Sequence, residues 1–378
     1  MKALMVTKFL PLPDNSGGKQ RSLAVARCLA ERSELVLCAY DDGTGDVAGL
    51  EKLGIEVRSV PWRPNLAGAA LGALATRSVS AGRFFSTALR SEIRRVSESG
   101  SLDLLQVEYL QMAPLCAGVV ASRRVLDLHN VESALVQTYA ELRTAPSSLL
   151  FHAEAVALRA LERKAVAQFD TLLVVSERER ERLPATASAV VCPNGRDPTG
   201  PLDPSSTPTV AFVSTMGWAP NSDAARWLCR EVWPGVLQKC PDARLLLVGR
   251  DPPPDVRAMA SSSIEVTGTV PDVMPYLARA RVAVAPLRAG GGTRLKILEA
   301  LDAGRPVVAT RLAVDGLEDL VGQGVVVADE APEMARALAE LLGDPEGAGE
   351  LGYVGHRAVA AAHTWEESLA SMVEVISG

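Results

Sequence analysis

The chain has 378 residues, longer than one hydrophobic core usually serves, so two domains are expected. Hydrophobic residues make up 48% and charged residues 22%, ordinary globular usage, and the aromatic share of 4% argues against a nucleic-acid stacking surface. The net charge of −6 is uneven: residues 1–196 hold 24 basic against 21 acidic side chains, and residues 197–378 hold 15 against 24. A slightly basic first half suits an anionic partner or a membrane surface, and equally an ordinary solvated face.

From the start, MKALMVTKFLPLP places Lys8 and two prolines where a signal peptide needs an unbroken apolar run, so a cytoplasmic protein is expected. Peripheral contact with the inner membrane face stays open. The strands expected in the first half are ALMV (3–6), ELVLCAY (34–40), LLQV (104–107), RVLDLH (124–129) and TLLVVS (171–176). Between the second and third lies the most apolar loop-like stretch, 64–82, which is too interrupted to span a membrane. RFFSTALRSEIRRV (83–96) follows as an amphipathic helix, whose arginines and aromatics offer ligand contacts; one buried and one solvated face explain it as well.

Residues 191–209, rich in Pro, Gly, Ser and Thr, read as the interdomain linker. Beyond it come TVAFVS (209–214), RLLLVG (244–249), IEVTG (264–268), VAVAP (282–286), PVVAT (306–310) and GVVVA (324–328). Strands alternating with helix-like stretches predict two open, doubly wound, Rossmann-like α/β domains, 1–195 and 205–359, which bind ligands beyond the carboxyl ends of their strands. The last stretch, about 360–378, has helical periodicity with no strand after it, and is expected to pack back on the first domain. Cys28, Cys38, Cys116, Cys192, Cys229 and Cys240 form no C-x-x-C or Cys/His cluster, which predicts neither a disulfide framework nor a zinc site.

The strongest chemical signal is AGGGTRLKILEALDAGRPVVAT (289–310), which follows a strand and opens a helix. Gly290, Gly291 and Gly292 let backbone amides approach a ligand, and the helix behind them presents unpaired N–H groups, the makings of a diphosphate cradle. Lys296 and Glu299 share a helical face, so a cation can meet phosphate while a carboxylate accepts from ribose hydroxyls. A flexible turn beside a surface ion pair is the plain alternative. Gly17 and Gly18, in PDNSGGKQRS after the first strand, open a second helix toward phosphates or form an ordinary turn, with Lys19 and Arg21 as nearby charge. His129 ends a strand beside Asp127, Asn130 and Glu132, and a histidine there can donate to a sugar hydroxyl or to developing charge. His152, His356 and His363 lie on presumed helices and read as structural. Asn194 and Gly195 fit a tight turn with a left-handed residue.

The 289–310 string resembles the nucleotide-sugar motif of retaining glycosyltransferases of the GT-B fold, family 4. LHNVES (128–133), CPNGRD (192–197), MGWAPNSDA (216–224) and Gly17-Gly18 match the same family in order, and the resemblance covers essentially the whole chain. It implies two Rossmann-like domains facing across a cleft, the first binding acceptor and the second the nucleotide-sugar. It implies hexosyl transfer from a UDP-, GDP- or dTDP-sugar to a glycan, lipid-linked or natural-product acceptor, with no nucleic acid. It also implies retention at the anomeric carbon, no metal and no cofactor. Carried over residue by residue, His129, Lys296 and Glu299 are the catalytic candidates. Gly17, Gly18, Gly268, Gly290, Gly291, Gly292, Thr293 and Arg294, with Lys296 and Glu299, are the donor-binding ones, and the loop at Gly268 holds the base.

Two departures stand out. Gly291 occupies the place of the first glutamate of the family's Glu-x7-Glu. Ser-Thr-Met-Gly-Trp-Ala-Pro-Asn (214–221) replaces an arginine and a lysine common after the second domain's first strand, which leaves Arg294 and Lys296 to neutralise the diphosphate. A nucleotide-sugar epimerase or hydrolase, or a non-catalytic nucleotide-sugar binder, uses the same cradle and is separated by acceptor-dependent turnover. A dinucleotide oxidoreductase is disfavoured, because no G-x-G-x-x-G follows any expected strand.

Overall fold

The computed structural model describes residues 1–63, 66–141, 146–203, 205–291 and 294–377. The chain divides into two compact units, one of Met1–Pro193 with Leu369–Gly378 and one of Asn194–Ser368.

The first unit is built on seven parallel strands: β1 (Lys2–Phe9), β2 (Glu34–Asp41), β3 (Ile55–Pro61), β4 (Leu104–Glu108), β5 (Arg123–Leu128), β6 (Thr171–Val174) and β7 (Ala189–Val191). Their order is β3-β2-β1-β4-β5-β6-β7. The second unit has six parallel strands, β8 (Thr209–Val213), β9 (Arg244–Val248), β10 (Ile264–Gly268), β11 (Val282–Ala285), β12 (Val307–Ala309) and β13 (Val325–Val327), in the order β10-β9-β8-β11-β12-β13. Both are Rossmann-like doubly wound sheets. Strands such as Ala3–Val6 and Val282–Ala285 are buried throughout, because helices cover both faces of a parallel sheet and apolar runs there need not alternate.

In each sheet the strand order reverses beside the first strand, between β1 and β4 and between β8 and β11. Side chains at the carboxyl ends of those pairs line the crevice where such sheets take ligands.

The eleven expected strands are all present, ten within two residues at each end and β1 running three residues further, to Phe9. β3 and β7 were not anticipated: Ile55–Pro61 mixes Glu56, Arg58 and Ser59 into an edge strand, and Ala189–Val191 is three residues long. The stretch 64–82 corrects the loop reading, since Leu66–Thr76 and Val79–Gly82 are helices. Their alanines favour helix, and Gly72 and Gly82 pack backbone against backbone, a Cβ on Gly72 falling 2.2 Å from the Gly82 carbonyl. The amphipathic helix runs Thr87–Glu98, capped by Ser86, with Leu89, Ile93 and Val96 inward. The last helix is Trp365–Ser377, and within the first unit Arg123 donates to the Val375 carbonyl. No helix among the described residues is long and apolar enough to cross a membrane.

Candidate active site

At the β1/β4 switch point of the first unit the sequence places polar groups on an apolar strand. Gln106 and Glu108 of β4 lie two residues apart, hence on one face, and both are fully buried. Gln106 Nε2 donates to Glu108 Oε1 at 2.9 Å, and Glu108 Oε2 lies 2.8 Å from His129 Nε2, just past β5. Asp127, also fully buried, takes a two-pronged bond from Arg21, with Nε at 2.8 Å and Nη2 at 3.0 Å. Arg21 Nη1 donates to the Pro193 carbonyl. Arg21, read from the sequence as charge near the glycine turn, is itself buried on Asp127. It points inward and neutralises the Asp127 side of the cluster.

Burial dominates the electrostatics. It pushes the Glu108 carboxyl up to about 7, against hydrogen bonds from Gln106 and Ser22 and the field of Arg21. It pulls His129 down to about 3, Asp127 opposing and Arg21 and Lys8 assisting, so the imidazole is neutral at physiological pH. Tyr109, at φ 70°, stacks on the His129 ring with centroids 3.8 Å apart. Gly18 is glycine because a Cβ there would stand 2.2 Å from Tyr109 Oη. Gly17 begins the helix Gly17–Ala30, which Ser16 precedes without a side-chain cap. Glu108, Asp127 and His129 offer ligand atoms within 4.8 Å of one another, the spacing of a cation site, but the Arg21 guanidinium already supplies positive charge there.

At the β8/β11 switch point of the second unit, the helix Leu295–Asp302 starts behind the glycine loop. Lys296 Nζ donates to Asn221 Oδ1 at 2.8 Å and lies 4.9 Å from the centroid of Phe212. Burial holds its ammonium well below the ordinary lysine value, Arg294 adding to the shift and Glu299 opposing it. Asn221 is buried and fixed in turn by its own donation to the Thr215 carbonyl at 2.8 Å. The Pro-Asn of MGWAPNSDA thus orients the lysine.

Glu299, raised by burial, is countered first by Arg196, whose Nη1 stands 3.6 Å away. Arg196 is held by Asp302 at 3.2 Å, and Thr199 also donates to Asp302. Gly290 has φ 122°, and a Cβ there would meet Arg294 Nη2 at 2.8 Å and Trp218 at 3.1 Å. Arg294 is buried, lies over the Trp218 ring at 5.8 Å and donates to the Gly291 carbonyl. Gly292 and Thr293 lie outside the described residues.

Gly268, at φ 72°, ends β10 beside a register shift, with open space where a side chain would stand. Gly195 corrects the turn reading: neither it nor Asn194 has positive φ, and it is glycine because a Cβ would press on the Thr364 carbonyl at 2.6 Å. His356 Nδ1 bonds the Asp302 carbonyl, His363 pairs with Asp319 and exposed His152 bonds within its own helix. The structure thus brings His129 to the first crevice and Lys296, Glu299, Gly290, Gly291 and Arg294 to the second.

Sequence reasoning passed over Glu108, Tyr109, Lys8, Asn221 and Arg196 as individual site residues. For Glu108 a signal existed, two polar residues at period two inside LLQVE. For Lys8 and Tyr109 there was none.

A family profile described as "Glycosyl transferase 4-like domain" matches residues 16–195, and one described as "Glycosyl transferases group 1" matches residues 207–344. The chain belongs to the group 1 glycosyltransferases, family 4. Glycosyl transfer is therefore the reaction class of this enzyme, and its two parallel sheets are the two Rossmann-like domains of the GT-B fold.

The glycosyltransferase resembles sucrose-phosphate synthase from Thermosynechococcus elongatus at 15% identity and TM-score 0.74, over 99% of this chain and 98% of that one. HepE of Anabaena, solved with UDP-glucose, is similar at 16% identity and TM-score 0.69 over the whole of both chains. α,α-Trehalose 6-phosphate synthase from Burkholderia multivorans is similar at 14% identity and TM-score 0.62, over 99% and 98%. No curated protein matches the glycosyltransferase by sequence.

Proposed function

We propose that the enzyme moves a hexosyl group from a nucleoside-diphosphate sugar to an acceptor hydroxyl with retention of anomeric configuration, unit Asn194–Ser368 binding the donor and unit Met1–Pro193 the acceptor. The observation that carries this reading is Lys296, a desolvated ammonium oriented by Asn221 at the head of a helix behind a glycine loop. An ammonium deprived of water gains most from an anion brought to it, and a diphosphate is the anion a glycosyl donor delivers. HepE, solved with UDP-glucose, supports a nucleotide-sugar as that donor.

In the transition state the sugar becomes oxocarbenium-like while the leaving diphosphate gains negative charge. Lys296, Arg294 and the amides behind Gly290 and Gly291 stabilise that leaving charge, which accelerates the step. Glu299, held by Arg196, accepts from ribose hydroxyls, and the open backbone at Gly268 faces the base. The bond from the anomeric carbon to phosphate oxygen breaks as the acceptor oxygen attacks from the same face. The acceptor proton passes to the departing phosphate oxygen, so no metal and no covalent enzyme intermediate are required. Neutral His129 offers a hydrogen bond to the acceptor that the first unit holds. Six cysteines with no C-x-x-C spacing among them suit a reducing, cytoplasmic compartment.

The test is a panel of UDP-, GDP- and dTDP-sugars screened by melting temperature, since a true donor raises it by mass action. The winning donor is then assayed against glycan, lipid-linked and small-molecule acceptors, and NMR reads the anomeric configuration of donor and product. Turnover at full rate with water alone, or an inverted product, refutes the proposal.

A further inference from the structure

Lys8, near the end of β1, carries an ammonium that the fold leaves without a carboxylate. Its Nζ lies 4.1 Å from the centroid of Tyr109 and 5.0 Å from that of Phe84, and it makes no ion pair among the described residues. Two of the buried acidic groups nearby are committed elsewhere, Glu108 to His129, Gln106 and Ser22, and Asp127 to Arg21. Glu132 acts on Lys8 only through its field, and burial outweighs it, lowering the lysine below its ordinary value. Two aromatic faces attract a cation but supply no counter-charge to it. The missing term is an anion.

The surroundings say what carries it. In a chain with few aromatics, four meet here: Trp62 stacks on Phe84 with centroids 5.2 Å apart and 24° between planes, and packs edge-on against Tyr40 and Phe9. Phe9, Trp62 and Phe84 are only half-buried, so ring surface remains open at the carboxyl ends of β1 to β3. Tyr109 links this platform to the reaction side, taking Lys8 on its ring and stacking on His129. The platform adjoins the strand-order reversal where doubly wound sheets take ligands.

From this we infer that Lys8 is the anion subsite of an acceptor that carries a phosphate, sulfate or carboxylate on a ring, the ring lying against Trp62 and Phe84. The inference rests on the first unit being the acceptor half. The donor's diphosphate is the other source of an anion, and the experiment separates the two.

The full chain is saturated with whichever of UDP, GDP or dTDP raises its melting temperature most, which fills the donor site. It is then titrated calorimetrically with two probe pairs, phenyl phosphate against phenol and glucose 6-phosphate against glucose. In at least one pair the phosphorylated member binds about tenfold or more tightly, the scale of one charge-assisted bond. Lys8→Met removes that preference and leaves the nucleotide-induced melting shift intact, Lys8→Arg retains most of it, and Trp62→Leu weakens the phenyl phosphate complex. The inference falls if neither pair discriminates. It also falls if Lys8→Met weakens the nucleotide and spares the probes, which assigns Lys8 to the donor. If no nucleoside diphosphate raises the melting temperature, the donor reading fails by itself, and the same probe pairs on the free chain still decide the role of Lys8.

Discussion

Replacing Glu108 by glutamine tests whether the His129 cluster is as desolvated as its packing implies. Glu108 is fully buried and its carboxyl is raised from an ordinary 4.5 to about 7, so between those values the folded chain holds a proton that the unfolded chain has lost. The stability this group contributes is complete below about 4.5 and is lost as pH climbs to 7, about 3 kcal/mol for a shift of this size. His129 works in reverse: lowered from 6.5 to about 3, it makes the chain lose stability as pH falls through that window. The two windows overlap and partly cancel in the native protein, and subtraction isolates the carboxyl. Urea unfolding of wild type and Glu108→Gln at pH 4.5, 5.5, 6.5 and 7.5 should show the difference moving by about 3 kcal/mol in favour of glutamine as pH rises. The same titration reaches function through the 2.8 Å bond to His129 Nε2. A protonated Glu108 donates to Nε2 and leaves Nδ1 carrying the ring proton, whereas an ionised Glu108 accepts from Nε2–H and leaves Nδ1 as an acceptor. Activity of wild type should therefore change across pH 7, and that of Glu108→Gln should be flatter there. A stability difference constant with pH, together with superimposable activity profiles, would refute the reasoning.

Three further outcomes follow from the geometry. Lys296→Met keeps the volume and removes the charge, so kcat should fall about 10²- to 10³-fold, as for loss of one transition-state donor, with an unchanged unfolding midpoint; a kcat within threefold of wild type would mean that Lys296 does not stabilise the leaving diphosphate. Arg21→Met strands Asp127 in the core and should destabilise the first unit by about 3–5 kcal/mol in urea, Asp127→Asn restoring part of it in the double mutant. Gly18→Ala puts a methyl 2.2 Å from Tyr109 Oη and should displace the ring from His129, read as a shifted His129 resonance and a lowered kcat with little change in donor affinity.

The fold was legible because parallel sheets bury both faces and write their strands as apolar runs. Ala3–Val6, Leu245–Val248 and Val282–Ala285 carry no competing helical period. β3 was hidden by Glu56 and Arg58 at a sheet edge, β7 by its three-residue length, and the helix Leu66–Thr76 by glycines that serve close packing. The second crevice was legible because its chemistry is contiguous: the glycine loop, Lys296 and Glu299 fall within ten residues.

The first crevice was not, and the reason is topological. Lys8, Gly18, Arg21, Glu108, Tyr109, Asp127 and His129 come from the ends of β1, β4 and β5 and from the helix after β1, so no local window contains their pattern. Arg21 read only as charge near the glycine turn because nothing near it in sequence shows that Asp127, 106 positions on, will meet it in a dry core. The family's departures find their physical answer in the same way. Where an arginine and a lysine commonly follow the first strand of the second domain, this chain has Trp218, which covers the Arg294 guanidinium, and Asn221, which aims Lys296. Lys296 stands on the helix after β11 and the segment after β8 holds it, so Asn221→Leu should cost activity through Lys296 although residue 221 itself carries no charge.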